Sequence, residues 1–144
     1  MNTPQPPIDI EALPPGDTTV GMIMRPPLTT VELDSHLAGV AYQIKHAGET
    51  ALVVVDDLNN NSPVAIVTDA DIVNAVAEGK DLEQTRIRGL VRPGLTTIRP
   101  GDTVNAAVEI MLRSGIQHLP VVDEAGGIIG IVDLVDMCRA MISM

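Results

Sequence analysis

Arg25-Pro26-Pro27-Leu28-Thr29-Thr30-Val31 returns 67 positions later as Arg92-Pro93-Gly94-Leu95-Thr96-Thr97-Ile98. The same shift lays Gly48 on Gly115 and Leu52-Val53-Val54-Val55-Asp56 on Leu119-Pro120-Val121-Val122-Asp123. A turn two residues shorter in the second half then brings Ile66-Val67-Thr68-Asp69-Ala70-Asp71 onto Ile131-Val132-Asp133-Leu134-Val135-Asp136. A register held over three blocks with one short deletion means two copies of one supersecondary unit.

Each copy reads β-α-β-β-α. An extended Thr-Thr-Val or Thr-Thr-Ile piece comes first. An amphipathic helix follows, with Leu37, Val40, Ala41 and Ile44 on its apolar stripe in one copy, and Val104, Ala107, Val108, Met111 and Leu112 in the other. Gly48 and Gly115 stand at the expected helix C-caps. Two β-branched runs come next, 51–56 with 64–67 and 119–122 with 128–132, separated by turn-forming residues that imply antiparallel pairing. A second helix closes each copy, at 69–78 and 133–142. A three-stranded sheet cannot cover both helix stripes alone, so the expected fold is α/β, with the two units packed about a pseudo-twofold axis. The predicted organisation is a proline-rich arm over 1–17, a first repeat over 18–79, a polar linker over 80–86 and a second repeat over 87–144. Ile8, Ile10 and Leu13 are the arm's candidates for packing on the body.

Composition narrows the function. The 144-residue chain carries 9 basic and 19 acidic residues, a formal charge of −10. Phosphate neutralisation needs clustered Lys and Arg, so this charge argues against a general nucleic-acid binder and equally against docking on an anionic membrane. Tyr42 is the sole aromatic residue, which removes base-stacking platforms. The single cysteine, Cys138, cannot close an intramolecular disulfide and points to a reducing compartment. With no apolar run near the ~20 residues of a membrane span and no secretory leader pattern, the expected location is the cytoplasm.

The stretches Val20-Gly21-Met22-Ile23-Met24-Arg25-Pro26, Ile66-Val67-Thr68-Asp69-Ala70-Asp71-Ile72, His118-Leu119-Pro120-Val121-Val122-Asp123 and Gly130-Ile131-Val132 together resemble the CBS-domain pair, the tandem module named after cystathionine beta-synthase. The resemblance covers about residues 18–142. It implies a disc that dimerises through helices, clefts that bind AMP, ADP, ATP or S-adenosylmethionine, and a regulatory rather than catalytic role, energy sensing included. It also implies that Thr68 meets phosphate and Asp71 meets ribose, while the Thr30-Val31 backbone and apolar residues around Leu52 line the base.

Physical chemistry supports a ligand at the strand-to-helix junction. A helix N-terminus offers unpaired N–H groups and the positive end of the dipole, and a carboxylate three residues along can accept from both ribose hydroxyls. The second repeat keeps Asp136 but has Asp133 where a hydroxyl residue is expected. A carboxylate ~4 Å from a phosphate costs about 4 kcal/mol at an effective dielectric near 20. One phosphate-competent cleft is therefore expected, with the other empty or holding a neutral or cationic adenosyl ligand. The resemblance further implies that a basic residue just before the Leu-Pro reaches across to the other unit's cleft. His118 is that candidate for the first cleft, and the equivalent position in the first copy is the uncharged Ala51.

Simpler roles stand beside these. Thr68 and Asp133 are both good helix N-caps. His118 can be a solvated strand-end side chain, and His36 and His46 surface residues. Cys138, between Met137 and Met141, reads as packing on a methionine-rich helix suited to a dimer surface. No calcium-loop or zinc-cluster spacing occurs, and no P-loop, nucleophile elbow or His-Glu-x-x-His motif is present, so neither a metal site nor catalytic residues are assigned. The leading expectation is a stand-alone regulatory module that binds an adenosyl ligand and acts through a homodimer or a regulated protein partner. The alternative is a ligand-free dimerisation scaffold.

Overall fold

The computed structural model describes residues 18–26, 29–56, 59, 61–90 and 94–142. The arm and its three candidate anchors lie outside them.

The first unit contains β1 (Thr30–Glu32), α2 (Leu37–Ala47), β2 (Ala51–Asp56), β3 (Ser62–Thr68) and α3 (Asp69–Ala77), preceded in the chain by the short α1 (Val20–Ile23). β1 pairs parallel with β2, and β2 antiparallel with β3. The second unit contains α4 (Val104–Ser114), β4 (His118–Val122), β5 (Ile128–Asp133) and α5 (Leu134–Ile142). Its extended Thr-Thr-Ile piece makes a parallel bridge from Ile98 to Val121. Both units thus follow the β-α-β-β-α order of the sequence. Gly48 and Gly115 end α2 and α4 with φ of 67°, a left-handed cap that a β-carbon would strain.

β2 is buried along nearly its whole length because it serves two cores. Leu52 and Val54 face the first unit's core with Leu37, Val40 and Ile44. Val53 and Val55 face Ile131 of the second unit and form the seam between the two. A strand covered on both faces needs a continuous apolar run, as Leu52-Val53-Val54-Val55 provides. In α4, Val104, Ala107 and Met111 are buried, whereas Leu112, expected on the stripe, is 68% exposed on its flank. Met137 is fully buried in the second core with Leu119 and Val132, so it belongs to the interior and not to a dimer surface.

The packed units and the sequence repeats do not coincide. Val20 of α1 lies in the second unit's core, with Ile98, Val104 and Met111. Its equivalent 67 residues on, Ile87, lies in the first unit's core, with Leu37 and Val40. The exchange completes both helix N-termini: Val104 N donates to Thr18 O, and Leu37 N donates to Thr85 O. Ala38 N donates to Leu82 O, and Leu82 packs against the first core, so 80–86 caps α2 instead of passing by it. His36 at that N-cap makes no side-chain capping bond, and these carbonyls supply the acceptors.

Candidate functional site

β3 ends and α3 begins at Thr68-Asp69, and this junction opens onto a cavity of about 760 Å³. That size suits a nucleoside-sized molecule. One wall is the first unit: Thr68, Asp69, Asp71 and Asn74 at the helix start, with Val54, Ala65 and Val67 from the sheet. The crossing segment adds Ile87 and Leu90. The opposite wall is the second repeat: Gly94-Leu95-Thr96 and Gly115-Ile116-Gln117-His118. Both repeats therefore build one site.

Thr68 and Asp71 form a reciprocal capping box. Asp71 N donates to Thr68 Oγ1 at 3.2 Å, and Thr68 N donates to Asp71 Oδ2 at 2.8 Å. Asp69 N donates to Thr50 O, and Ala70 N to Asp69 Oδ1. The first turn of α3 is thus internally satisfied. Among the described residues the Thr68 hydroxyl proton and Asp71 Oδ1 have no hydrogen-bond partner, which leaves one donor and one acceptor on the cavity wall. A phosphate reaching the helix amides there would have to displace the Asp69 carboxylate.

His118 faces this junction from β4. Burial pushes its imidazole below the ordinary histidine range, with Arg25 pushing the same way and Asp133, Glu49 and Asp69 pulling against it. The neutral form can donate or accept at the cavity, and an anionic ligand would favour the charged one.

The remaining sequence candidates lie elsewhere. Val31 and Leu52 are buried in the first unit's core, 3% and 2% exposed, and do not border this cavity. Thr30 sits exposed on β1. The wall here is Leu95-Thr96, the second repeat's counterpart of Leu28-Thr29. Gly115, Ile116 and Gln117 were not among the sequence candidates; they line the cavity at, and just after, the Gly115 cap that ends α4. Asp136 lies at the second junction, where Asp136 N donates to Asp133 Oδ1 at 2.7 Å and Asp133 N donates to Asp136 Oδ2 at 3.2 Å. Asp133 is therefore a cap, and Asp136 is held in an ion cluster with Arg25. Cys138 is exposed on α5, and Tyr42 and His46 stack on α2 with ring centroids 4.0 Å apart. Among the described residues no cluster of His, Cys, Asp or Glu is placed to hold a metal, and no helix is long and apolar enough to cross a membrane.

Comparison with known proteins places this geometry. The CBS domain family model matches residues 20–78 and again 87–143. An uncharacterized protein of Methanopyrus kandleri is 30% identical over 122 residues, 84% of this chain, and the chain spans only 61% of that relative's length. The CBS-domain pair of protein MJ0100, solved with 5′-methylthioadenosine and S-adenosyl-L-methionine, superposes with a TM-score of 0.76 at 25% identity, covering 85% of this chain and 94% of that one. CBSX2, from Arabidopsis thaliana and solved with AMP, gives a TM-score of 0.73 at 26% identity, covering 85% and 95%. With both of its repeats matched by that family, and each contributing a wall to one cavity, this chain belongs to the CBS-domain proteins as a tandem pair.

Proposed function

We propose that the chain is a regulatory module that binds one adenosyl ligand (AMP, ADP, ATP or S-adenosylmethionine) in the cavity between its repeats and signals through a dimer or partner interface. The observation that carries this reading is the cavity itself, with Thr68 and Asp71 on one wall and His118 on the wall from the other repeat. Asp71 Oδ1 would accept from ribose hydroxyls, the Thr68 hydroxyl would donate, and Ala65, Val67, Ile116 and Leu95 would enclose the base. A ligand touching both repeats shifts their packing only as far as it prefers one arrangement over the other. The co-crystallised adenosyl compounds of the two solved relatives agree with this ligand class.

One observation favours a second reading. The capping box alone accounts for Thr68 and Asp71 at this junction, and a scaffold without ligand needs no more. Calorimetric titration of the four candidates against the whole chain separates the two. Heat at one ligand per chain supports the sensor. Silence across the panel at millimolar ligand supports the scaffold.

A further inference from the structure

The two junctions differ in charge at matching positions. Glu49, Asp133 and Asp136 at the second stand where the first has Ile116, Thr68 and Asp71. Into the three carboxylates reaches Arg25, and it spends a different nitrogen on each: Nε to Asp136 Oδ2 at 3.0 Å, Nη1 to Glu49 Oε1 at 2.9 Å, and Nη2 to Asp133 Oδ2 at 3.0 Å. The planar fork of a guanidinium suits such a set, whereas an ammonium does not. The backbone is fixed as well, since Arg25 N donates to Ile131 O at 3.0 Å and Ile131 N donates to Arg25 O at 2.9 Å. This close approach depends on Gly130. A β-carbon there would lie 2.7 Å from Met24 Sδ and 3.1 Å from Arg25 O. The first repeat has Ala65 at the matching position, bordering the open cavity.

We propose that Arg25 is the built-in occupant of the second cleft: an intramolecular guanidinium that fills the carboxylate site, straps the chain across β5 and shuts that cleft to outside ligands. Three segments meet in it, the crossing strap, the turn after α2 and the β5–α5 junction, so it also ties the first unit to the second. Glu49, Asp133 and Gly130 give the second junction two more carboxylates and the room for the strap, where the first junction has Ile116, Thr68 and Ala65. Whether any ligand fills the first cavity does not enter this claim.

The test needs no nucleotide. In Arg25→Ala the thermal midpoint falls by roughly 2–8 °C, the scale for losing a half-exposed ion network in a chain of this size. Amide exchange at Ile131 accelerates. Ethylguanidinium restores the midpoint saturably, while tetramethylammonium at equal ionic strength does not, and adding Glu49→Gln weakens the rescue. Gly130→Ala, which displaces the Met24 side chain and crowds Arg25 O while leaving the guanidinium among its carboxylates, also accelerates exchange at Ile131 but gains nothing from ethylguanidinium. If Arg25→Ala does not fold alone, recovery of helical circular dichroism on adding ethylguanidinium supports the proposal, and no recovery overturns it. A midpoint within a degree of wild type, or equal rescue by both cations, also overturns it.

Discussion

Replacing Asp71 with alanine separates a cap from a ligand contact, because the two roles predict different losses. The substitution removes the Oδ2 acceptor that Thr68 N meets at 2.8 Å but leaves the Thr68 Oγ1 bond to the amide of residue 71. Losing one arm of a capping box costs about 0.5–2 kcal/mol. In a chain of this length that lowers the thermal midpoint by roughly 2–8 °C. If Asp71 also receives ribose hydroxyls, hydrogen bonds to a charged acceptor worth about 1.5–3 kcal/mol are lost from binding. The dissociation constant then rises about 10- to 100-fold. Asp71→Asn sharpens the comparison: its side-chain oxygen can still cap Thr68 N, so the midpoint stays near wild type while the lost charge weakens ribose binding. Calorimetry far below the midpoint reads affinity, and circular dichroism reads stability. An Asp71→Ala protein that melts early yet binds AMP or S-adenosylmethionine within twofold of wild type would refute the assignment and leave Asp71 as a cap.

Other consequences can be measured alongside. The folded-state pKa of His118 lies below its unfolded value near 6.5, so the folded protein takes up fewer protons there. The His118 contribution to stability is therefore complete above the unfolded value and lost as pH falls from there through the lower folded-state value, and His118→Gln flattens this part of a urea-stability profile. A phosphate ligand stabilises the imidazolium, so binding takes up a proton and its heat depends on the buffer in wild type but not in His118→Gln. Ile116→Glu with Thr68→Asp gives the first cavity the second junction's carboxylates, and titration shows AMP and ATP binding abolished while S-adenosylmethionine, with its sulfonium, loses less. Val20→Ala leaves a hole in the second unit's core, so hydrogen exchange rises in α4, β4 and β5 well before it rises in α2 and β2.

Much of the fold is legible because it rests on local periodicity repeated twice. The stripe Leu37, Val40, Ile44 and its counterpart Val104, Ala107, Met111 specify the same helix, and Gly48 and Gly115 end both. What local patterns do not carry is partner choice. Val20 and Ile87 stand at the start of their own repeats, yet each completes the other unit's core, because the bonds from Val104 N to Thr18 O and Leu37 N to Thr85 O join segments far apart in sequence. The cavity wall likewise comes from Leu95-Thr96, two residues before the second repeat's counterpart of Thr30-Val31. Thr68, Asp71 and His118 were named from the strand-to-helix pattern together with the family resemblance, and all three line one cavity. Arg25 could not be assigned, although the alignment of Glu49 with Ile116 and Asp133 with Thr68 already showed unequal charge at the two junctions. Its role required knowing that a strap from the start of one repeat crosses the sheet of the other.

The central claim is that one cavity shared by both repeats takes an adenosyl ligand. Amide chemical-shift mapping of the isotope-labelled chain, titrated with AMP and then with S-adenosylmethionine, tests it most directly. Saturable shifts are expected at Thr68, Ala70 and Asp71 together with Gly115, Ile116 and His118, with little change at Arg25 and Asp136. Shifts confined to one repeat, shifts centred on the Arg25 cluster, or an unchanged spectrum with both ligands would contradict it.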